Sequence, residues 1–299
     1  MYCKPNLNSE KTVPVALTTL AAFLWGSEYA AISLGLRTLS PFWFATLRSL
    51  TAILVIAIFI FIFQKKFKGN IKKMISDKIV WLLGILNGLG FIFQFLGMTE
   101  TTASKAVLII NINVVTTAIL SSKFLGERLW GKKYAALLVG SIGVLLLTTD
   151  GNFSKLEAGS IIGDILVFIG GFIWSCFVVV QKKYIPSNKE ELAQHVLAIS
   201  AITALVTAIP AIMFEKLPTL KVNEIYIVLY LGIFTTALPY YIWIFALRKI
   251  SATFSSVILL LQIFFGIFLA AIFLAETLSI AFFVGGALIV SSIFLTSVE

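Results

Sequence analysis

The chain has 299 residues, of which 59% are hydrophobic and only 12% are Asp, Glu, Lys or Arg, about half the charged share of an ordinary soluble domain. A soluble globule of this size cannot bury so much apolar side chain, so composition excludes a soluble enzyme, a disordered regulator and a nucleic-acid binder. A formal charge of +9 does not restore a nucleic-acid reading, because the basic residues sit in short clusters between apolar runs, as topology signals do.

Residues 1–12 read as a polar cytoplasmic tail. A spanning helix needs about 20 mostly apolar residues. Ten segments qualify, at about 13–34, 42–63, 79–98, 102–123, 132–149, 160–181, 192–213, 223–244, 252–275 and 279–297. The first is too long for a signal-peptide core and lacks a small-residue cleavage site, so it is retained as a helix. None alternates with the period of a barrel strand. The longest connection, the lysine-rich stretch from Gln64 to Lys78, leaves no room for a soluble domain. Cys3 and Cys176 stand alone without CxxC spacing, so no disulfide, metal site or cofactor is expected.

With the N-terminus in the cytoplasm, 17 of the 23 Lys and Arg fall in inner segments, and four (Arg37, Lys155, Lys216, Lys221) in outer loops. That bias puts both termini inside. Trp43, Trp81, Trp130 and Trp243 lie near span ends, where indoles sit at headgroup level; Trp25 and Trp174 fall near the middle of spans 1 and 6.

Sliding the chain against itself by 149 residues brings Trp25 onto Trp174 and Asn113 onto Gln262. The same offset brings Thr102-Ala103-Ser104 onto Ser251-Ala252-Thr253, and Leu125-Gly126-Glu127-Arg128-Leu129 onto Leu274-Ala275-Glu276-Thr277-Leu278. A common offset of half the chain length points to duplicated halves, residues 13–150 and 160–297. Five spans per half is an odd number, so the halves must cross the membrane in opposite senses. The expected fold is therefore an all-α integral membrane protein of ten transmembrane helices in two inverted five-helix repeats, the architecture of alternating-access transporters.

Ten spans as five plus five, Trp25-Gly26-Ser27 in span 1, Arg48 in span 2 and Gly126-Glu127-Arg128-Leu129 after span 4 resemble the drug/metabolite transporter superfamily, specifically its EamA-type members. Ala275-Glu276-Thr277-Leu278 looks like the matching motif after span 9. The resemblance covers nearly the whole chain. It implies export or exchange of small metabolites, often amino acids, by a multi-pass protein of the bacterial inner membrane. One departure matters: many relatives carry a neutral residue such as Asn after Trp-Gly-Ser, where this chain has Glu28.

An ionised side chain at the bilayer centre costs at least about 2.5–3.5 kcal/mol, so each must face protein or water. Glu28 shares one face of span 1 with Trp25, Tyr29 and Ile32, at i, i+3, i+4, i+7 spacing. It is read as a ligand for substrate or a coupling proton, with a structural acid bonded to a neighbouring helix as the alternative. Asn87, Phe91 and Gln94 form a stripe in span 3, Asn111 and Asn113 lie in span 4, and Trp174, Phe177 and Gln181 share a face of span 6. Span 8 carries Thr236, Tyr240 and Trp243, and span 9 carries Ser255 and Gln262. Each amide alone suits helix–helix bonding equally well; as a set they describe a polar, aromatic-lined cavity. The expected substrate-binding residues are Trp25, Glu28, Tyr29, Asn87, Phe91, Gln94, Asn111, Asn113, Trp174, Tyr240 and Gln262.

Other charged residues receive structural roles. Arg48, about two turns from the outer end of span 2, is expected to snorkel or pair locally, Lys105 to be interfacial, and His195 to be exposed. Glu127 and Glu276 are expected to fix loops or helix ends. Glycines such as Gly84 and Gly88 permit close packing within the bundle or between protomers, which suits a monomer or weak homo-oligomer.

The leading expectation is thus a secondary active transporter, an exporter or exchanger of small polar metabolites such as amino acids or related compounds. Its partners would be the bilayer, a small-molecule substrate and a coupling proton, with no nucleic acid. A membrane enzyme would need clusters of Asp, His or metal ligands, and the chain has one His. A channel or scaffold would have no use for an inverted repeat. A nucleotide-sugar or sugar-phosphate carrier needs cavity cations for phosphate, where the midplane is expected to offer Glu28.

Overall fold

The computed structural model describes residues 7–64, 76–157, 159–274 and 277–297. Among them are ten helices long and apolar enough to cross a membrane, one on each expected segment. Spans 1–5 are Lys11–Gly35, Pro41–Phe63, Lys78–Glu100, Lys105–Leu125 and Gly131–Thr149; spans 6–10 are Ile161–Lys183, Glu191–Phe214, Val222–Leu247, Ala252–Phe273 and Ile280–Ser297.

Four spans depart from a continuous α-helix. Span 1 breaks at Ser27 between Leu7–Gly26 and Glu28–Gly35. The Ser27 hydroxyl donates to the Leu24 carbonyl at 2.6 Å, the local side-chain competition that bends helices. Span 4 breaks between Ala103–Ile110 and Asn113–Leu125, where the Asn111 amide donates to the Val107 carbonyl at 2.7 Å. Span 9 breaks at Leu260, between Ala252–Leu259 and Leu261–Leu274. Asn111 and Leu260 are 149 residues apart, and so are Thr102 and Ser251, whose hydroxyls cap the two helices. The duplication therefore extends to the irregularities. Span 8 contains a wider π turn, Ile233–Ala237.

Helix pairing repeats across the halves. Span 3 packs on span 6 as span 8 packs on span 1, and span 4 packs on span 6 as span 9 packs on span 1. Spans 2 and 7, and spans 5 and 10, pair with their own counterparts. That exchange is what a pseudo-two-fold relation between inverted halves requires. Small residues allow the close approaches: a side chain at Gly143 would meet the Gly285 carbonyl of span 10, and one at Gly88 would meet Val206 of span 7.

Acidic side chains tie one half to the other at helix N-termini, where backbone N–H groups lack partners. Glu127, just after the left-handed Gly126 (φ 69°), accepts from the backbone of Ala252 at 2.6 Å and Thr253 at 3.1 Å and from the Thr253 hydroxyl at 2.6 Å. It caps span 9. Glu276 lies outside the described residues. Glu215 plays the same part for span 2, accepting from the Ser40 hydroxyl at 2.7 Å and the Trp43 backbone at 2.9 Å. Lys105 pairs with Asp164 at 2.6 Å, joining the starts of spans 4 and 6.

Two expectations are corrected. His195 is buried, 3% exposed, because its ring meets the Gln181 amide of span 6 (Nε2 to Nε2 3.1 Å, Nε2 to Oε1 3.3 Å). Trp243 does not sit at headgroup level; it is 2% exposed and its indole N–H donates to the Ser255 hydroxyl at 2.9 Å. Trp81 and Trp130 are exposed, as headgroup indoles should be.

Candidate functional site

The site is founded on a defect in span 8. Pro239 has no backbone N–H, so the carbonyl four residues earlier, Thr235, loses its α-helical donor, and the chain widens into the π turn. Two side chains from the first half fill the vacancy. The Trp25 indole donates to the Thr235 carbonyl at 3.0 Å, and Arg48 Nη2 donates to it at 3.3 Å. Arg48 Nη2 also donates to the Thr235 hydroxyl at 3.1 Å, and Arg48 Nε to the Thr236 hydroxyl at 3.0 Å.

Of the two expectations for Arg48, snorkelling is corrected: the side chain is paired, and its partners lie on spans 1 and 8. It is 1% exposed, and Nη2 forms an ion pair with Glu28 Oε2 at 2.8 Å. The Phe91 ring lies 4.8 Å from its guanidinium carbon, within cation–π range. Glu28 is consequently not a lone carboxylate, and the premise that the midplane offers no cation is wrong. The physical reason is that distance from a span end says nothing of neighbouring helices: span 8 supplies a ready-made socket.

Around this pair lies a cavity of about 100 Å³, room for roughly three water molecules at liquid density. Trp25, Glu28 and Tyr29 line it from span 1, Phe91 and Gln94 from span 3, and Asn113 from span 4. Trp174, Tyr240 and Gln262 line it from the second half. The breaks of spans 1, 4 and 9 adjoin Glu28, Asn113 and Gln262, and interrupted helices are a common way to build a transport site. Trp25 meets Tyr240 and Trp243 edge-on at 5.9 and 5.8 Å, and Trp174 meets Phe91 at 5.5 Å. The two mid-span tryptophans, duplicates in sequence, thus border one space.

Asn87 and Asn111 stand one layer behind. Asn87 donates to the Thr203 hydroxyl at 3.0 Å and accepts from the Tyr240 hydroxyl. Asn111 accepts from the Gln262 amide at 3.3 Å. Arg48, Phe177, Trp243 and Ser256 also line the cavity but were absent from the expected set. Phe177 and Trp243 lay on stripes already visible in spans 6 and 8. For Arg48 the signal was the pairing rule itself, since two opposite charges inside a membrane protein seek each other.

Comparison with known proteins follows the same lines. The EamA-like transporter family matches twice, over residues 13–149 and 161–298. An uncharacterized transporter of Archaeoglobus fulgidus is 26% identical over 98% of this chain and 99% of its own. A protein of Escherichia coli described as a probable amino-acid metabolite efflux pump is also 26% identical, over 93% of each chain. A crystal structure at 18% identity shares the fold, with a TM-score of 0.78 over 95% of this chain and 96% of that one. With both halves matched, the chain belongs to the EamA-like transporter family.

Proposed function

We propose that the protein is a secondary active transporter that exports or exchanges small polar metabolites, amino acids or related compounds, by alternating access around the cavity between its halves. The observation that carries this reading is the Glu28–Arg48 pair at 2.8 Å in the cavity wall. A cavity with no net charge of its own and one carboxylate in its wall suits a small molecule that carries an amino group. A sugar phosphate or nucleotide sugar would find one cation already neutralised and a carboxylate beside it. The E. coli relative's description as an amino-acid metabolite efflux pump points the same way.

The test is uptake into proteoliposomes preloaded with unlabelled compound, comparing amino acids with phosphorylated sugars. Counterflow of amino acids alone is expected; counterflow of the phosphorylated compounds alone would transfer the assignment to the carrier reading.

For placement, the reading is a multi-pass protein of the bacterial inner membrane with both termini cytoplasmic, supported by the Lys and Arg bias. Reporter fusions after Lys78 and Glu299 should be cytoplasmic and one after Gly151 external. An external signal at Glu299 would contradict this orientation.

A further inference from the structure

The two charges of the cavity are not equally available to a ligand. Arg48 is 1% exposed. Its Nε and Nη2 are tethered to span 8 and Glu28, the Phe91 ring lies against the guanidinium, and Nη1 is sealed from solvent without a partner among the described residues. Glu28 is different. Only Oε2 is engaged, by Arg48; Oε1 has no partner among the described residues, and the side chain retains 11% exposure in the cavity wall. The other polar side chains lining the space, Gln94, Asn113, Ser256 and Gln262 with the hydroxyls of Tyr29 and Tyr240, are neutral. Aromatic faces complete it on both sides, Trp25 and Tyr29 from the first half and Trp174 from the second.

We infer that this cavity selects its ligand by an ammonium group, taken by Glu28 Oε1 and the aromatic walls, and that a ligand carboxylate is a neutral-contact passenger. Arg48 is the positioning residue: it holds Glu28 by Oε2 and turns Oε1 to the cavity. A cation beside aromatic rings and a desolvated carboxylate gains from both. A carboxylate in the same space meets neutral amides and hydroxyls, while the guanidinium of Arg48 is held by Glu28 and span 8. The ligand class therefore extends beyond amino acids to small primary amines that carry no carboxylate. This deepens the amino-acid reading above and rests on it for the site.

The experiment is equilibrium binding to the purified full chain in detergent, with two series of probes. Each series has the amino acid, its amide, its decarboxylated amine and its N-acetyl derivative: L-leucine, L-leucinamide, isopentylamine and N-acetyl-L-leucine, and the four phenylalanine equivalents. The amide and amine should bind within a few-fold of the parent or more tightly. The N-acetyl compounds, whose ammonium is gone, should lose roughly tenfold to hundredfold, the loss expected for a hydrogen bond between charged groups. Glu28→Gln should level the series, and the wild-type comparison stands whether or not that variant folds. Amides and amines weakened tenfold, N-acetyl compounds bound like the parent, or no probe bound at all would overturn the inference. Amines that bind while no amino acid is transported would keep the ammonium subsite and remove the amino-acid reading; amino acids transported without regard to the ammonium would do the reverse.

Discussion

Replacing Arg48 by Ala should destabilise the protein by about 3–5 kcal/mol, the cost of stranding a buried charge, and the double variant Arg48→Ala with Glu28→Gln should recover most of it. Arg48 satisfies the Glu28 carboxylate at 2.8 Å while three further bonds anchor it to Thr235 and Thr236. Without the guanidinium the carboxylate, 8% exposed, is left without its counter-charge. Neutralising Glu28 as well removes the stranded charge, leaving two hydroxyls of span 8 without this donor while the Thr235 carbonyl keeps the Trp25 indole. A loss that came from packing would behave otherwise, because the second substitution removes no volume. Thermal denaturation of the four proteins in one detergent measures it: near-additive losses would show that the ion pair is not what holds spans 1, 2 and 8 together.

The parts of this molecule that were legible in sequence are those set by solvent and by duplication. Twenty-odd apolar residues have one stable form in a bilayer, a helix, so the ten segments could be counted. The repeat was legible through an offset of 149 residues, and the same offset separates the breaks at Asn111 and Leu260. Nine residues expected to bind ligand line one cavity because helical stripes of polar and aromatic residues point where lipid is not.

What was illegible depends on contacts between helices far apart in the chain. Arg48 reads as a residue near a membrane surface until span 8, 187 residues later, is seen to offer it a carbonyl and hydroxyl of Thr235. Pro239 announces a flexing point in sequence, but not which donors will occupy the carbonyl it frees. Trp243 and His195 lie near span ends, and only the partners Ser255 and Gln181 explain why neither reaches the surface. Gln94, by contrast, is placed by its stripe, yet its Oε1 is buried without a partner among the described residues, which no pattern could foretell.

If the transported molecule sits in the Glu28–Arg48 cavity, removing the Glu28 charge must be felt in transport. The most direct measurement is amino-acid uptake into proteoliposomes by wild-type protein and Glu28→Gln, with and without an imposed pH gradient. Gln keeps an acceptor for Arg48 Nη2 but not its counter-charge, so the variant should melt lower than wild type, and uptake is compared at a temperature where its melting curve shows it folded. The account predicts that Glu28→Gln loses at least about tenfold in uptake in both arms, since the missing charge is one the ligand itself uses. A loss confined to the gradient arm would give Glu28 the coupling proton in place of the ligand. Wild-type uptake in both arms would contradict the account, and would return the ion pair to a structural tie between spans 1 and 2.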